Sequence, residues 1–302
     1  MELPLRRLFE APTIAQLAPL ILKIKENPDQ QTSPLPSSLV PLSIVEGSEI
    51  LFGFHPIGGA VSSFTTLINL LPGVSLYGLQ SEGFAPTESI RHTTVESMAA
   101  YYVELLRSVQ KTGPYWLIGR SSGGQLALEA AHILTGMGEE VAAVLLLDTA
   151  APGLMPWTPT ELTLIKFLAE GSLDGDEEDL AKLEGDARLI YALDLLKKRG
   201  LAPESFTLED GRRRLEIVKN NLNAANIYVP QPYKGRMVLF AAEGSPQENV
   251  ATWKKYSSGT LEVEQVAGQH SQLLNEPSVK QIGTHIRRYM GELKSVAAKM
   301  TL

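Results

Sequence analysis

The stretch YWLIGRSSGG, at residues 115–124, decides the fold. Its first half is a short apolar run, which predicts a buried strand, and its second half encloses two serines between glycines. The residues that follow, GGQLALEAAHILTGM at 123–137, have the apolar spacing of a helix. The pattern G-x-S-x-G between a strand and a helix is typical of a nucleophile elbow, a tight turn that presents a serine hydroxyl.

The elbow pattern assigns Ser121 as the nucleophile. Gly119 and Gly123 flank it and let the strand and helix backbones pass close to each other. Ser122 does not fit the pattern, because the residue two positions before it is Arg120 and not a glycine. The backbone N–H of Ser122 lies at the predicted helix N-terminus, where we expect it to stabilise a developing oxyanion.

Strand-like and helical runs alternate along the rest of the chain. The other strand-like runs lie at 49–54, 75–80, 141–148, 236–242 and 261–266, and the other helical runs at 97–110 and 277–293. This alternation predicts an α/β fold with a mostly parallel central sheet and helices on both faces.

One interval is far longer than a strand-to-strand connection. Between Asp148 and Arg236 the chain has three helical patterns, whereas a plain crossover needs only about a dozen residues. We predict a helical lid insertion at about 153–230, over the carboxyl ends of the strands. Its apolar residues, such as Leu164 and Phe167, suit either an apolar acyl chain or packing between the lid helices.

A serine hydroxyl is a weak nucleophile without a base, which in turn needs an orienting acid. In a fold with this elbow the histidine follows the acid, on a loop after the last strand. His270 lies between the strand-like run 261–266 and the final helix, so we predict that it is the base. His132 and His285 fall within helical runs and are expected to be packing or surface residues.

The acid has two candidates, each at the end of a strand-like run. Asp148 ends VLLLD, the first strand-like run after the elbow helix, and Glu243 follows the next strand-like run. Strand order alone does not separate them. We favour Asp148, because a buried strand ending LLLD places a carboxylate at the carboxyl edge of the sheet.

The second oxyanion donor is expected in the loop after an early strand. The stretch FHPIGGA, at 54–60, has a strand end followed by two glycines, which let the backbone approach the oxyanion. We predict the N–H of Ile57 as this donor and expect His55 to line the substrate pocket.

Composition excludes several classes of function. The 302 residues carry a formal net charge of −7 with no basic stripe, so no nucleic-acid partner is predicted. The absence of cysteine excludes disulfides and thiolate metal sites, and no metal site of another kind is predicted. The apolar run at 141–147 is too short to span a membrane. We expect no membrane association and a cytoplasmic location.

The N-terminal part of the sequence differs from the rest. Residues 5–24 have largely helical spacing, and the residues after them are rich in proline, serine and glutamine. A helical segment of this length cannot bury a core of its own. We therefore divide the chain into 1–24, the end of another domain, a linker at 25–43, and the main domain at 44–302.

Taken together, these residues resemble the type I thioesterase domains of the α/β-hydrolase family that end nonribosomal peptide and polyketide synthetases. The resemblance covers roughly 49–293 and is carried by LFGFHPIGG, YGLQSEG, GRSSGG, LLLDTAAP and GQHSQLL. In that family the acid typically lies a little under thirty residues past the serine, which supports Asp148 over Glu243. The N-terminal ELPLRRLFEAPTIAQLA resembles the last part of a peptidyl carrier domain. The serine that carries the carrier's phosphopantetheine is expected upstream of residue 1.

The resemblance implies a chain-terminating thioesterase that binds no cofactor of its own. Its substrate is a peptidyl or acyl thioester on the phosphopantetheine of an upstream carrier domain. Ser121 takes the acyl chain, and hydrolysis or macrocyclisation then releases it. Arg120 stands where the family often has an aromatic residue or histidine, and we expect it to contact the substrate. The alternatives are a small-molecule serine esterase or lipase and a non-catalytic binding module with the same fold.

Overall fold

The computed structural model describes residues 14–26, 36–85, 87–154, 158–169, 172–173 and 175–300. A seven-stranded sheet in the order β1-β3-β2-β4-β5-β6-β7 forms its centre. The strands are β1 (Leu39–Ser43), β2 (Glu49–Phe54), β3 (Val74–Leu79), β4 (Tyr115–Arg120), β5 (Val141–Leu147), β6 (Arg236–Ala242) and β7 (Thr260–Val266). Only β1 runs antiparallel to its neighbour. The predicted α/β fold with a mostly parallel sheet is confirmed.

Helices cover both faces of the sheet. The helices of the described residues are α1 (Ile14–Glu26), α2 (Val95–Val109), α3 (Gly123–Gly136), α4 (Glu161–Leu168), α5 (Glu177–Ala181), α6 (Gly185–Lys198), α7 (Leu208–Ile227), α8 (Gln247–Lys255) and α9 (Ser278–Met300), with a 3-10 helix at Ser62–Leu70. Side chains of α2, α3 and α8 share one apolar core, and those of the 3-10 helix and α9 share another. No helix in the described part of the chain is long and apolar enough to cross a membrane.

Alternate side chains of each central strand enter opposite cores, as the pleat of a strand requires. In β4 the side chain of Leu117 lies in the core beneath α2 and α3, whereas Trp116 and Ile118 lie in the core beneath α9. Every residue of β4 is buried. The strand that leads into the elbow is thus fixed from both sides, which makes its carboxyl end a rigid place for a functional side chain.

Helices α4 to α7 form the predicted helical insertion, between β5 and β6. Most of its apolar side chains pack on one another, with Ile165, Leu180 and Leu189 in a core of their own. A smaller cluster joins the lid to the body, where Leu164 and Leu222 pack against Ile57. The lid is therefore a packed unit that contacts the loop after β2.

Hydrogen bonds anchor the two ends of the lid. At its start, Asn249 of α8 accepts from the N–H of Ala151 (2.7 Å) and donates to the carbonyl of Thr149 (3.1 Å). At its end, the hydroxyl of Tyr228 donates to Glu129 Oε2 on α3 (2.7 Å). Both ends are thus held by the body of the domain.

The boundary that we drew between linker and main domain needs correction. Residues 39–43, predicted as the end of the linker, form β1, which pairs with β3 at the edge of the sheet. Pro41 gives this stretch the appearance of a linker, but an edge strand tolerates proline because one of its sides has no hydrogen-bond partners. In the predicted carrier fragment and linker, 14–26 is helical, and 1–13 and 27–35 lie outside the described residues.

Candidate active site

The nucleophile elbow lies between β4 and α3. Ser121 has a φ of 55°, and its N–H donates to the carbonyl of Leu147 in β5 (2.9 Å). A Cβ on Gly119 would lie 2.1 Å from the carbonyl oxygen of Gly123, and a Cβ on Gly123 would lie 2.3 Å from that of Phe54. The two glycines are therefore required by the close approach of three backbone segments.

Asp148 follows β5 directly, with a φ of 46°. Its Oδ1 accepts from the N–H of Ala242 (3.1 Å) and from the hydroxyl of Ser245, and its Oδ2 lies 2.7 Å from His270 Nδ1. Burial acts to raise the pKa of Asp148, but the hydrogen bonds from His270, Ser245 and Ala242 outweigh burial and lower it. The carboxylate is thus ionised at neutral pH.

His270 lies in a short 3-10 turn, His270–Gln272, after β7. Because a carboxylate only accepts hydrogen bonds, the proton of the ring is on Nδ1 and Nε2 is the acceptor. Nε2 lies 3.1 Å from Ser121 Oγ. In this arrangement an imidazole can remove the proton of a serine hydroxyl. The structure therefore brings Ser121, His270 and Asp148 into one continuous line of hydrogen bonds.

Glu243, the alternative acid, has other partners. Its side chain is exposed, and Oε2 accepts from the N–H of Gly268 (3.3 Å). The hydrogen bond to His270 belongs to Asp148.

The loop after β2 carries the second predicted oxyanion donor. The N–H of Ile57 shares a peptide unit with the carbonyl of Pro56, which accepts from His55 Nδ1 (2.8 Å) and from the N–H of Gly59 (2.9 Å). Because the C=O and N–H of a trans peptide point in opposite directions, these bonds fix the direction of the Ile57 N–H. The carbonyl of Ile57 accepts from Asn221 Nδ2 of α7 (3.0 Å).

Ser121, Ile57 and Ser122 line one cavity of about 70 Å³ between the elbow and the lid. The other residues that line it are Gln125, Ala150, Ala151, Gly153, Phe167, Leu222, Ala225 and Asn226. The predicted nucleophile and both predicted donors thus face the same space, whose wall is about equally polar and apolar. In the described part of the chain, no cluster of three or more His, Asp or Glu side chains could hold a metal ion.

A family profile, that of the thioesterase domain, matches residues 49–289. The chain belongs to the thioesterase domain family. A dimodular nonribosomal peptide synthase of Bacillus subtilis (strain 168) is 30% identical to this thioesterase domain over 304 residues, 97% of this chain and 12% of that protein. Malpinin synthetase of Mortierella alpina is 31% identical over 270 residues, 87% of this chain and 3% of that protein. The chain thus spans only a small part of these curated relatives.

Solved structures share the fold of this thioesterase domain. The four-domain nonribosomal peptide synthetase holo-AB3403, bound to AMP and glycine, has a TM-score of 0.76 at 24% identity, covering 93% of this chain and 22% of that one. The NocB thioesterase domain, in a covalent complex with a fluorophosphonate nocardicin G analogue, has a TM-score of 0.57 at 27% identity, covering 81% and 95%. The family resemblance and the α/β-hydrolase fold inferred from the motifs are confirmed, and the chain is a hydrolase.

His55 does not line the pocket of this thioesterase domain, contrary to our prediction. Its side chain is 1% exposed, with Nδ1 on the carbonyl of Pro56 and Nε2 2.7 Å from the hydroxyl of Tyr102. Burial lowers the pKa of His55 to about 4, although the bond to Pro56 acts to raise it. The ring is therefore neutral, and it holds the peptide unit that carries the Ile57 N–H.

Arg120 lies outside the lining of this pocket. Its side chain is buried, and Nη2 donates to the carbonyl of Ser271 (3.4 Å), next to His270. Arg120 is not among the described residues that line the pocket. The substrate contact of Arg120 stays a prediction, and in this structure the guanidinium ties the elbow strand to the turn that carries His270.

Sequence reasoning missed three residues of the site. Ser245 and Asn221 bond to partners that are 97 and 164 residues away in the chain, so no local pattern marks them. Gln125 had a usable signal, because it lies four positions after Ser121 in the first turn of α3. Ser121 itself precedes the helix, so the signal is closeness in the chain and not a helical repeat.

Proposed function

We propose that this thioesterase domain ends the assembly of a peptidyl or acyl chain, which reaches it as a thioester on the phosphopantetheine of an upstream carrier domain. One observation carries the proposal: the line of hydrogen bonds from Asp148 through His270 to Ser121, beside a pocket with both apolar and polar walls. The similarity to a nonribosomal peptide synthase over 97% of this chain supports a carrier domain as the partner.

In the acylation half of the reaction, Ser121 Oγ attacks the thioester carbonyl while His270 Nε2 takes the hydroxyl proton. Asp148 holds the ring in the required tautomer and stabilises the imidazolium. The N–H groups of Ile57 and Ser122 stabilise the tetrahedral oxyanion, and the loss of one such donor typically lowers kcat by about 10²–10³. The imidazolium then gives its proton to the sulfur as the thiol leaves, and an acyl ester remains on Ser121.

In the release half, His270 takes a proton from the incoming nucleophile. Water gives a free acid, and an amine or hydroxyl of the bound chain gives a macrocycle. Collapse of the second tetrahedral intermediate returns the proton to Ser121 Oγ. The balance between the two products depends on how far the lid excludes water from the ester.

The organisation of the whole chain is part of the proposal. Residues 1–24 are proposed as the end of a carrier domain, and 25 to about 38 as the linker that follows it. In this proposal the carrier domain belongs to the same polypeptide and supplies the thioester to the thioesterase domain. A cytoplasmic location also stays a prediction.

A fluorophosphonate probe tests the nucleophile. We expect intact mass spectrometry to show one adduct on the parent protein and none on Ser121→Ala. We also expect the variant to lose about 10⁴-fold or more in kcat on a pantetheine thioester. An adduct that persists in the variant would move the chemistry to another residue. No adduct on the folded parent would favour a non-catalytic binding module.

The substrate class is tested with matched compounds. The same acyl group is offered as a pantetheine thioester and as an oxygen ester, and kcat/KM is measured for both. We expect the thioester to be the better substrate. A preference for the oxygen ester would favour the small-molecule esterase alternative while leaving Ser121 as the nucleophile.

A further inference from the structure

Gln125 is a polar side chain in the wall of the pocket that neither the hydrogen-bond line nor the oxyanion donors use. It lies in the first turn of α3, four positions after Ser121, and is 6% exposed. Its Oε1 is buried and has no hydrogen-bond partner among the described residues. A buried acceptor without a donor is uncommon in native proteins and calls for an explanation.

The surroundings of Gln125 point to a ligand as the missing partner. Apolar side chains, among them Phe167 and Leu222, line the pocket together with polar ones such as Gln125 and Asn226. Apolar walls with a few placed polar groups are the usual design of a site that orients a small ligand. Gln125 and Ser121 line the same cavity. The group that meets Gln125 is therefore close to the carbonyl that Ser121 attacks.

The carboxamide itself indicates the chemistry of that group. Its unpartnered atom is the acceptor Oε1, so the missing partner is a hydrogen-bond donor such as an N–H group. A backbone amide is such a partner. In a peptidyl thioester, the nitrogen of the last amide is bonded to the carbon next to the reacting carbonyl. A simple fatty or polyketide acyl chain has no N–H at this position.

We propose that Gln125 binds the last amide of the substrate and so makes this thioesterase domain selective for peptidyl thioesters. The inference rests on the proposed function and narrows its substrate class. The Oε1 atom accepts the substrate N–H, which satisfies the buried acceptor and fixes the carbonyl against Ser121 and the oxyanion donors. Gln125 is thus a specificity-determining residue, and the chemical steps stay with Ser121, His270 and Asp148.

The test uses two pantetheine thioesters that differ in one atom. One carries an N-acylaminoacyl group, and the other carries the matching O-acylhydroxyacyl group, in which oxygen replaces the amide N–H. We expect the parent protein to favour the amide by about tenfold in kcat/KM, the value of one hydrogen bond. Gln125→Met keeps the length of the side chain without its polar atoms, and we expect it to lose this preference, with a larger fall in kcat/KM on the amide than on the oxygen analogue.

Two further variants keep the result interpretable. Gln125→Ala retains high helix propensity and replaces Gln125→Met if the latter does not fold. Gln110→Met, at the half-buried C-cap of α2 and outside the pocket lining, is the matched control and should keep the full preference. An unchanged preference in both Gln125 variants, or equal losses on both thioesters, would overturn the inference.

Failure of the proposed function would give a different result. A parent protein that is labelled by fluorophosphonate but cleaves neither thioester would contradict thioester release itself and the peptidyl selectivity with it. A parent protein that cleaves both thioesters equally would leave thioester release standing and refute only the role of Gln125.

Discussion

Ser121 and Asp148 both have left-handed backbone conformations, with φ of 55° and 46°. In the part of the chain that the structure describes, they are the two non-glycine residues with positive φ. Such conformations cost of order 1–3 kcal/mol each and persist only where the surroundings enforce them. Here N–H bonds to the carbonyls of Leu147 (2.9 Å) and Phe240 (2.8 Å) do so. Neighbouring parallel strands thus set the direction of both side chains.

The role of Asp148 is tested by Asp148→Asn. Asparagine tolerates the left-handed backbone, so the fold should be retained. The new amide can donate to His270, which favours the wrong tautomer of the ring. We therefore expect kcat for thioester hydrolysis to fall by about 10⁴-fold, with a normal urea unfolding curve.

Glu243→Gln is the matched control for Asp148→Asn, since it makes the same chemical change at the other candidate acid. Glu243 is exposed and bonds to Gly268, so we expect kcat to stay within about twofold of the parent value. A large loss in Glu243→Gln beside a small loss in Asp148→Asn would reverse the assignment of the acid.

Helix α7 of the lid contacts the loop that carries the proposed oxyanion donor Ile57. Asn221 is buried, and its Nδ2 donates to the carbonyl of Ile57, directly after the N–H that is proposed to bind the oxyanion. The hydroxyl of Ser81 lies 3.4 Å from Asn221 Oδ1, which fixes the orientation of the amide. The position of α7 therefore affects the orientation of the backbone at Ile57.

Asn221→Leu is expected to release the oxyanion loop. Leucine has a similar volume but cannot donate a hydrogen bond. The carbonyl of Ile57 therefore loses its partner, and the backbone at Ile57 loses one of its restraints. Because an oxyanion donor acts only in the transition state, we expect kcat to fall by about ten- to hundredfold with little change in KM. Steady-state kinetics on a pantetheine thioester measure both constants.

The neighbouring Asn220→Leu is the control for lid stability. Asn220 Nδ2 donates to the carbonyl of His92 (3.1 Å), so it attaches the same helix to a different loop. We expect its kcat to stay within about twofold of the parent value. Equal losses in the two variants would mean that α7 acts through lid stability and not through the Ile57 peptide.

The strands of the centre were predictable because burial on both faces leaves a continuous apolar signal. The runs at 49–54, 115–120 and 236–242 match β2, β4 and β6 residue for residue. The edge strand β1 was missed, because Pro41 is compatible with an edge but is also typical of a linker.

The site divides in the same way between local and distant information. The elbow around Ser121 is a local motif, and the order of the strands in the chain points to Asp148 and His270. The partners of His55 and Arg120 come from distant segments, Tyr102 and Ser271. Their side-chain directions were therefore not predictable from neighbouring residues. The catalytic roles themselves stay predictions until the kinetic tests are made.

The stability of the whole molecule is expected to depend on pH through His55. Burial lowers the pKa of His55 from 6.5 to about 4. Below pH 6.5 the unfolded chain binds a proton at this residue that the folded protein does not bind until about pH 4. The free energy of unfolding therefore falls as the pH drops through this range, by up to about 3 kcal/mol from this residue.

Urea unfolding between pH 7 and pH 4.5 measures this effect. We expect His55→Gln to be less stable than the parent at pH 7 but to lose less stability as the pH falls. His132→Gln, on the half-buried side chain that lies 2.9 Å from the carbonyl of Gln231, is the control for the loss of an imidazole. Equal slopes for the parent and His55→Gln would contradict a neutral, buried His55.

The two anchored ends of the lid have a consequence for redesign. The lid leaves the sheet after β5 and returns at β6, which lie side by side, so segments of different lengths can connect the two strands without moving Ser121, Asp148 or His270. Helices α4 to α6 can therefore be replaced by the corresponding segment of another thioesterase domain. We expect such a replacement to change which products are released. Helix α7 cannot be exchanged in the same way. Its replacement must place an amide side chain at the position of Asn221, because the carbonyl of Ile57 otherwise loses the hydrogen bond that Asn221 donates.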